Sequence, residues 1–258
     1  MIFDAHTHVG DFPLFNVSLD RDGLADLMEE HGYSGCVVFH PDNAMVAQTV
    51  GSLPGTHGLV WANPRMPGFL EEALDWLESD LFVGVKLHPL LDGYHPAEPV
   101  VHPLYERLAD RGLPVLVHCG HPIFTLPWSI EEAVLPHPEL KVVLGHMGHG
   151  NIVYINAAID VAVRRPNTWL ETSGMPMHTK IREAVERVGQ DRVMYGSDAP
   201  FHHPRVEIEK VRVSGLPPDL VERVLGENAR RLFLGEGNRS TVTLDSAAIS
   251  KEGRTGGR

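Results

Sequence analysis

Cysteine is nearly absent: the 258 residues hold two, Cys36 and Cys119, in separate apolar runs without CxxC spacing. That excludes a disulfide framework and a thiolate zinc site, and it leaves two buried thiols. Basic side chains are scarce, with 22 Lys and Arg against 34 Asp and Glu and a net charge of −12. A polyanion would be repelled on approach, so nucleic acid is excluded as a partner. No apolar run approaches the ~18 residues that span a bilayer. The opening MIFDAHTH puts Asp4 and His6 where a secretory leader needs basic and then apolar residues. A cytoplasmic location with no membrane partner is the expectation. Tyrosine and tryptophan number only five and four, whereas histidine reaches sixteen with no His-rich tract to account for it.

Short apolar runs recur along the chain, each followed by a helical pattern, which is the rhythm of βαβ units. There are eight: 2–5, 35–39, 58–62, 82–87, 114–117, 141–144, 168–171 and 193–196. Several are almost wholly apolar, as parallel strands covered by helices on both faces must be. Amphipathic stretches at 20–30, 68–79, 101–111, 152–164 and 180–188 alternate with them. Gly32 and Gly112 mark helix ends, Pro67 sits at a first-turn position, and 218–225 and 227–234 read as two closing helices. The fold expected is an α/β, TIM-like (β/α)8 barrel over residues 1–235, near the roughly 250 residues such a barrel uses. Residues 236–258 lose all hydrophobic period and read as a flexible C-terminal tail, with Thr241 to Leu244 as a weak strand that could cross to a second subunit. The tail carries four basic and three acidic residues, so the remaining 18 against 31 leave a net −13 in the folded domain.

Residues two apart on a strand point to the same side, so His6 and His8 of DAHTH converge. A pair of imidazoles at that spacing can bind a divalent metal, although HxH alone is common. Other polar residues recur where apolar strands end: His118 after VLV, His146 after VVLG and Asp198 after MYGS. In a parallel barrel the C-terminal strand ends share one face, so these five would meet there. Singly, each reads better as a satisfied buried group or a helix cap.

As an ordered set they resemble the amidohydrolase superfamily, in the amidohydrolase-related branch that includes aminocarboxymuconate semialdehyde decarboxylase. The resemblance covers about residues 1–235, rests on DAHTH, VLVHCG, VVLGHMG and YGSDAPF, and extends to the closing GENARRLF. It implies that His6, His8, His118 and Asp198 hold one divalent ion. Zinc is the usual choice, with Mn2+ or Fe2+ as alternatives. It also implies that His146 acts beside the ion as a hydrogen-bonding or proton-transfer group. Neutral imidazoles leave the ion's charge uncompensated, so a bound water loses its proton near neutral pH and Asp198 can accept it.

Lys86, on the fourth strand, is where binuclear members carry a bridging carboxylated lysine; its other role is a charged group paired at the barrel mouth. His88, on the same face, suits substrate contact. His121, His149, His178, His202 and His203 follow strands five to eight and could line a pocket with Trp61, Arg65, Phe124, Trp128, Met175, Met177 and Phe201. Arg65 could grip a substrate carboxylate, or equally form a surface salt bridge. His31, His57, His102 and His137 fall away from the strand ends, where solvated or helix-terminal roles are expected.

Two reactions suit this set: hydrolysis of a small amide, ester or lactone-like substrate by metal-activated water, or non-oxidative decarboxylation with the same ligands. The short stretch from Gly10 to Leu19 favours hydrolysis, because decarboxylase relatives have more elaborate loops. A TatD-like nuclease would need a glutamate where Lys86 stands. A barrel that binds without catalysing is disfavoured by the complete ligand set. The expected partner is a small-molecule substrate, and a homodimer is left open.

Overall fold

All eight apolar runs form parallel strands in the computed structural model, which describes residues 1–235: β1 Ile2–His8, β2 Tyr33–Phe39, β3 Thr56–Trp61, β4 Phe82–Leu87, β5 Pro114–His118, β6 Lys141–Gly145, β7 Thr168–Glu171 and β8 Val193–Met194. They pair in sequence order. β8 is only two residues long, and the ring is completed against β1 by separate bonds, from Ala5 N to Tyr195 O (3.1 Å), from Asp198 N to His6 O (2.7 Å) and from His8 N to Ala199 O (2.7 Å). The result is a nearly closed TIM barrel. The expected tail, 236–258, lies outside the described residues.

Each strand is followed by a helix, from Arg21–His31 after β1 to Pro204–Arg212 after β8. Local chemistry sets the ends of several. The Asp20 carboxylate caps Arg21–His31 by accepting from Gly23 N, and Gly32 (φ 65°) and Gly112 (φ 64°) end their helices in the left-handed region that glycine enters freely. Pro67 precedes the N-cap residue, Gly68, of Phe69–Trp76, so it lies outside the first turn. The two expected closing helices are one continuous run, Pro218–Leu234, with a π-helical stretch at Arg223–Glu227. Gly226 does not break it. A Cβ there would lie 2.5 Å from Met1 O, so this glycine serves a close approach of the helix to the chain start.

Two apolar layers hold the barrel. The larger lies between sheet and helices and includes Leu24, Val38, Val85, Leu104, Val142 and Ile159. The smaller fills the interior with Phe3, Ala5, Val37, Leu59, Val83, Leu116 and Val143, and Ala229, Leu232 and Phe233 of the final helix pack onto it from the N-terminal end. One end of the barrel is therefore plugged by hydrocarbon, and chemistry is confined to the other. Cys36 and Cys119 are free and buried, and burial pushes both thiols above their ordinary pKa, Cys119 to about 12. His57 falls within β3, which starts two residues earlier than the apolar run, and His137 is buried against His102 (2.8 Å). No helix among the described residues is long and apolar enough to cross a membrane.

Candidate active site

A register irregularity between Asp4 and Thr7 in β1 changes which side chains face inward: Phe3 and Ala5 enter the interior core, and His6 and His8 then turn together to the open end. Their rings lie 5.5 Å apart. Asp198, in the left-handed region (φ 56°), reaches them from beyond β8, with Oδ1 3.0 Å from His8 Nε2 and 3.3 Å from His6 Nε2. His146 and Met147 (φ 64° and 45°) and His149 (φ 54°) are also in this region, so most of the positive-φ side chains among the described residues sit at this face. Strain of this kind persists only where surrounding contacts impose it.

His6, His8 and Asp198 offer three buried donor atoms within 4.8 Å of one another. Burial, reinforced by the nearby Lys86 ammonium, holds both imidazoles well below their ordinary pKa, so they stay neutral and keep a lone pair for a cation. Ligands ~2.0 Å from a tetrahedral ion stand roughly 3.3 Å apart, close to the two spacings around Asp198. The donor set fits a divalent ion. Burial also raises the Asp198 carboxyl and lowers the Lys86 ammonium, and each partly offsets the other's shift.

His118, the fourth expected ligand, adjoins this set through other imidazoles. Its Nδ1 lies 3.0 Å from His146 Nε2 and its Nε2 2.8 Å from His121 Nδ1, and it belongs to neither compact donor cluster among the described residues. Lys86 is fully buried, with Nζ 3.3 Å from His6 Nε2 and 4.7 Å above the Phe39 ring. His88 stacks on His118 with centroids 4.0 Å apart.

The cavity at this face, of about 190 Å³, is lined by His8, His88, His118, His121, His146, His149, His202 and Asp198 together with Phe12, Phe15, Leu91 and Phe201. Other expected pocket residues lie elsewhere. Arg65 is engaged by Glu98 (2.6 and 2.8 Å) and Gly93 O, the salt-bridge alternative, which leaves it no free fork for a substrate carboxylate. Trp61 is behind the pocket, stacked on His88 with its indole N–H donated to Asp92. His203 caps Pro204–Arg212 and His178 begins its own helix; neither lines the cavity, nor do Phe124, Trp128, Met175 or Met177.

The amidohydrolase family profile matches residues 5–234. The chain belongs to the amidohydrolase family. A curated relative, gamma-resorcylate decarboxylase of Rhizobium sp. (strain MTP-10005), is 27% identical over 118 residues, 39% of this chain and 36% of that protein. The match thus spans about a third of the relative's length. Among solved structures, the dihydroxybenzoic acid decarboxylase of Polaromonas sp. JS666, with bound manganese and the inhibitor 2-nitroresorcinol, superposes with a TM-score of 0.74 at 16% identity, covering 90% of this chain and 96% of that one. A Pseudomonas putida protein provisionally named 2-pyrone-4,6-dicarboxylic acid hydrolase gives 0.70 at 20%, covering 91% and 98%. At these identities the likeness is one of fold.

A buried carboxylate of this chain also escapes the sequence pattern. Glu171, at the end of β7, is fully buried and accepts from His6 Nδ1 (2.7 Å), His146 N (3.0 Å), Ser173 Oγ (2.9 Å) and Ser173 N. Its signal was the one that marked the others, a polar residue where an apolar strand stops. Phe12 and Phe15 were also missed; they come from an antiparallel hairpin, Gly10–Phe12 with Val17–Leu19, that the sequence pattern does not announce.

Proposed function

We propose that this amidohydrolase removes carbon dioxide from a small hydroxylated aromatic acid without an oxidant. The observation that carries the reading is the cavity itself. Three phenyl rings, Phe12, Phe15 and Phe201, line one cavity together with Asp198 and a group of imidazoles, a mixed apolar and polar lining suited to a flat ring with polar substituents. The decarboxylase names among the relatives support the same reaction over the hydrolysis that the short Gly10–Leu19 stretch favoured.

His6, His8 and Asp198 would hold the divalent ion, with His118 beside them. Such an ion supplies Lewis acidity that fixes a carboxylate or phenolate and offsets its charge. The donor set accommodates zinc or manganese, and the manganese-bound neighbour gives Mn2+ the stronger support. In the chemical step the carbon–carbon bond to the carboxylate breaks, its electron pair stays on the ring carbon, and a proton must reach that carbon. Asp198 is the carboxyl lining the cavity, and with Oδ1 turned to His6 and His8, Oδ2 is the oxygen placed to pass it. His146, braced by Ser173, would hold His118 in place at the cavity wall, and His88, His121 and His149 line the cavity where polar substituents would lie.

Hydrolysis of a lactone, ester or amide is the second reading, favoured by the polar bank of histidines and by the hydrolase-named neighbour. Carbon dioxide release from 2,6-dihydroxybenzoate and related hydroxybenzoates, run beside ring opening of 2-pyrone-4,6-dicarboxylate by the Mn2+- and Zn2+-loaded chain, separates the two. Incorporation of one solvent deuteron into the aromatic product is expected. Lactone opening with no carbon dioxide from any aromatic acid would overturn decarboxylation.

A further inference from the structure

Two donor clusters share His6: one with His8 and Asp198, the other with His146 and Glu171. They differ in what their carboxylates already do. Four donors converge on the two oxygens of Glu171, leaving it little capacity for an ion. Its 2.7 Å contact to His6 Nδ1 is an ordinary hydrogen-bond length, well under the roughly 3.3 Å between two donors of one tetrahedral ion.

We propose that Glu171 is a positioning residue that fixes the proton of His6 on Nδ1, so that Nε2 faces His8 and Asp198 with a free lone pair. The inference rests on the metal-site reading above. A second contact agrees with this tautomer. Lys86 Nζ lies 3.3 Å from His6 Nε2, and with no ion bound a charged Lys86 donates to the same lone pair that an ion would take, which leaves the hydrogen on Nδ1 for Glu171. The fit is tight. A Cβ on Gly196 would lie 2.6 Å from His6 Cβ and would overlap Glu171 Oε1, so glycine leaves the room these two side chains fill. Through the backbone N–H of His146 the same carboxylate also anchors the left-handed turn at His146 and Met147. Glutamine cannot replace it. One amide oxygen faces four donors, and its NH2 would point hydrogens at other N–H groups.

The test uses the full-length chain with and without Zn2+. Nitrogen-15 histidine spectra report the tautomer of His6, and zinc titration reports affinity. Wild-type His6 is expected to carry its proton on Nδ1 in both states. Glu171→Gln should weaken Zn2+ binding about 10- to 100-fold, with an unchanged circular dichroism spectrum and a mixed His6 tautomer. Glu171→Asp, which keeps the charge but falls one methylene short, should lie between. A wild-type proton on Nε2, or Glu171→Gln affinity within twofold of wild type, overturns the proposal. If Glu171→Gln does not fold, the wild-type tautomer and the Glu171→Asp affinity still decide it. A wild-type chain that binds no divalent ion, yet keeps the Nδ1 proton, refutes the metal-site reading and leaves the positioning role standing.

Discussion

Gly196→Ala adds one methyl group between β1 and the end of β7 without changing any charge or hydrogen-bonding group. The new Cβ would meet His6 Cβ at 2.6 Å, against an ordinary contact of 3.4–4 Å, so the pair must separate by about 0.8 Å. Neither neighbour yields easily. His6 is tied into the barrel by its own N–H to Asp4 (2.9 Å) and its carbonyl to Asp198 N, and Glu171 is held by four donors. Spread over the 2.7 Å His6–Glu171 bond, that displacement reaches about 3.5 Å, the outer limit of a hydrogen bond. Overpacking of this kind costs roughly 1–3 kcal/mol. At 2–4 °C per kcal/mol for a domain of this size, Tm should fall by about 2–12 °C. Zn2+ affinity should fall with it, by about 10- to 100-fold, because the brace on His6 is what loosens. Calorimetry paired with metal titration reads both. A protein with wild-type Tm and wild-type affinity would refute the packing argument, and a lower Tm with intact affinity would separate the crowding from the ligand set.

Asp198→Asn should lower turnover far more than folded yield, because an amide can still coordinate through oxygen but cannot pass a proton; near-native turnover removes Asp198 from that role. Phe233→Ala opens the plug at the closed end and should cost about 3–5 kcal/mol by thermal or denaturant unfolding. Metal affinity should stay constant, since the site lies at the opposite end, and a parallel loss of affinity would contradict that separation. Stability of the metal-free chain should fall as pH drops below about 6.5. Burial holds His6, His8, His88, His118 and His146 well below the usual imidazole range, so below that pH the unfolded state takes up protons these folded imidazoles refuse. His121, His137 and His149, also lowered by burial, act in the same sense. Asp4, Asp92 and Glu207, raised to about 6, 6 and 7, and Asp198, also raised, act in the opposite sense because there the folded state binds the proton first. Eight groups against four leave a net loss of stability as the pH falls. A Tm that stays level from pH 7 to pH 5 would show that the histidines are not held neutral.

The barrel was legible because its strands are buried on both sides and therefore read as uninterrupted apolar runs, and because Asp20, Gly32 and Gly112 state their helix boundaries locally. His6, His8 and Asp198 were legible for a related reason: a polar residue at the end of such a run is conspicuous. What failed depends on partners far away in the chain. Nothing near Arg65 indicates that Glu98, 33 residues on, occupies its guanidinium. For His118, with the same strand-end pattern as His6, the sequence does not show that its ring nitrogens face His121 and His146. Glu171 carries the strand-end signal in TWLE, but only the packed barrel brings 165 residues of separation from His6 down to a hydrogen bond.

The join between β1 and the segment after β8 has a consequence for how the chain is made. His8 and Asp198 are 190 residues apart, and the backbone bonds that bring them together are the ones that complete the ring. A ribosome-bound chain that has not yet released residue 198 has two histidines and no carboxylate opposite them. Contacts of such long range form late and slowly. An ion held across this join would therefore be captured only by a finished barrel, and its binding energy would be added to that state alone, by RT ln(1 + [L]/Kd). Metal supply during synthesis would then act on the yield of folded protein, beyond any effect on the activity of what has already folded.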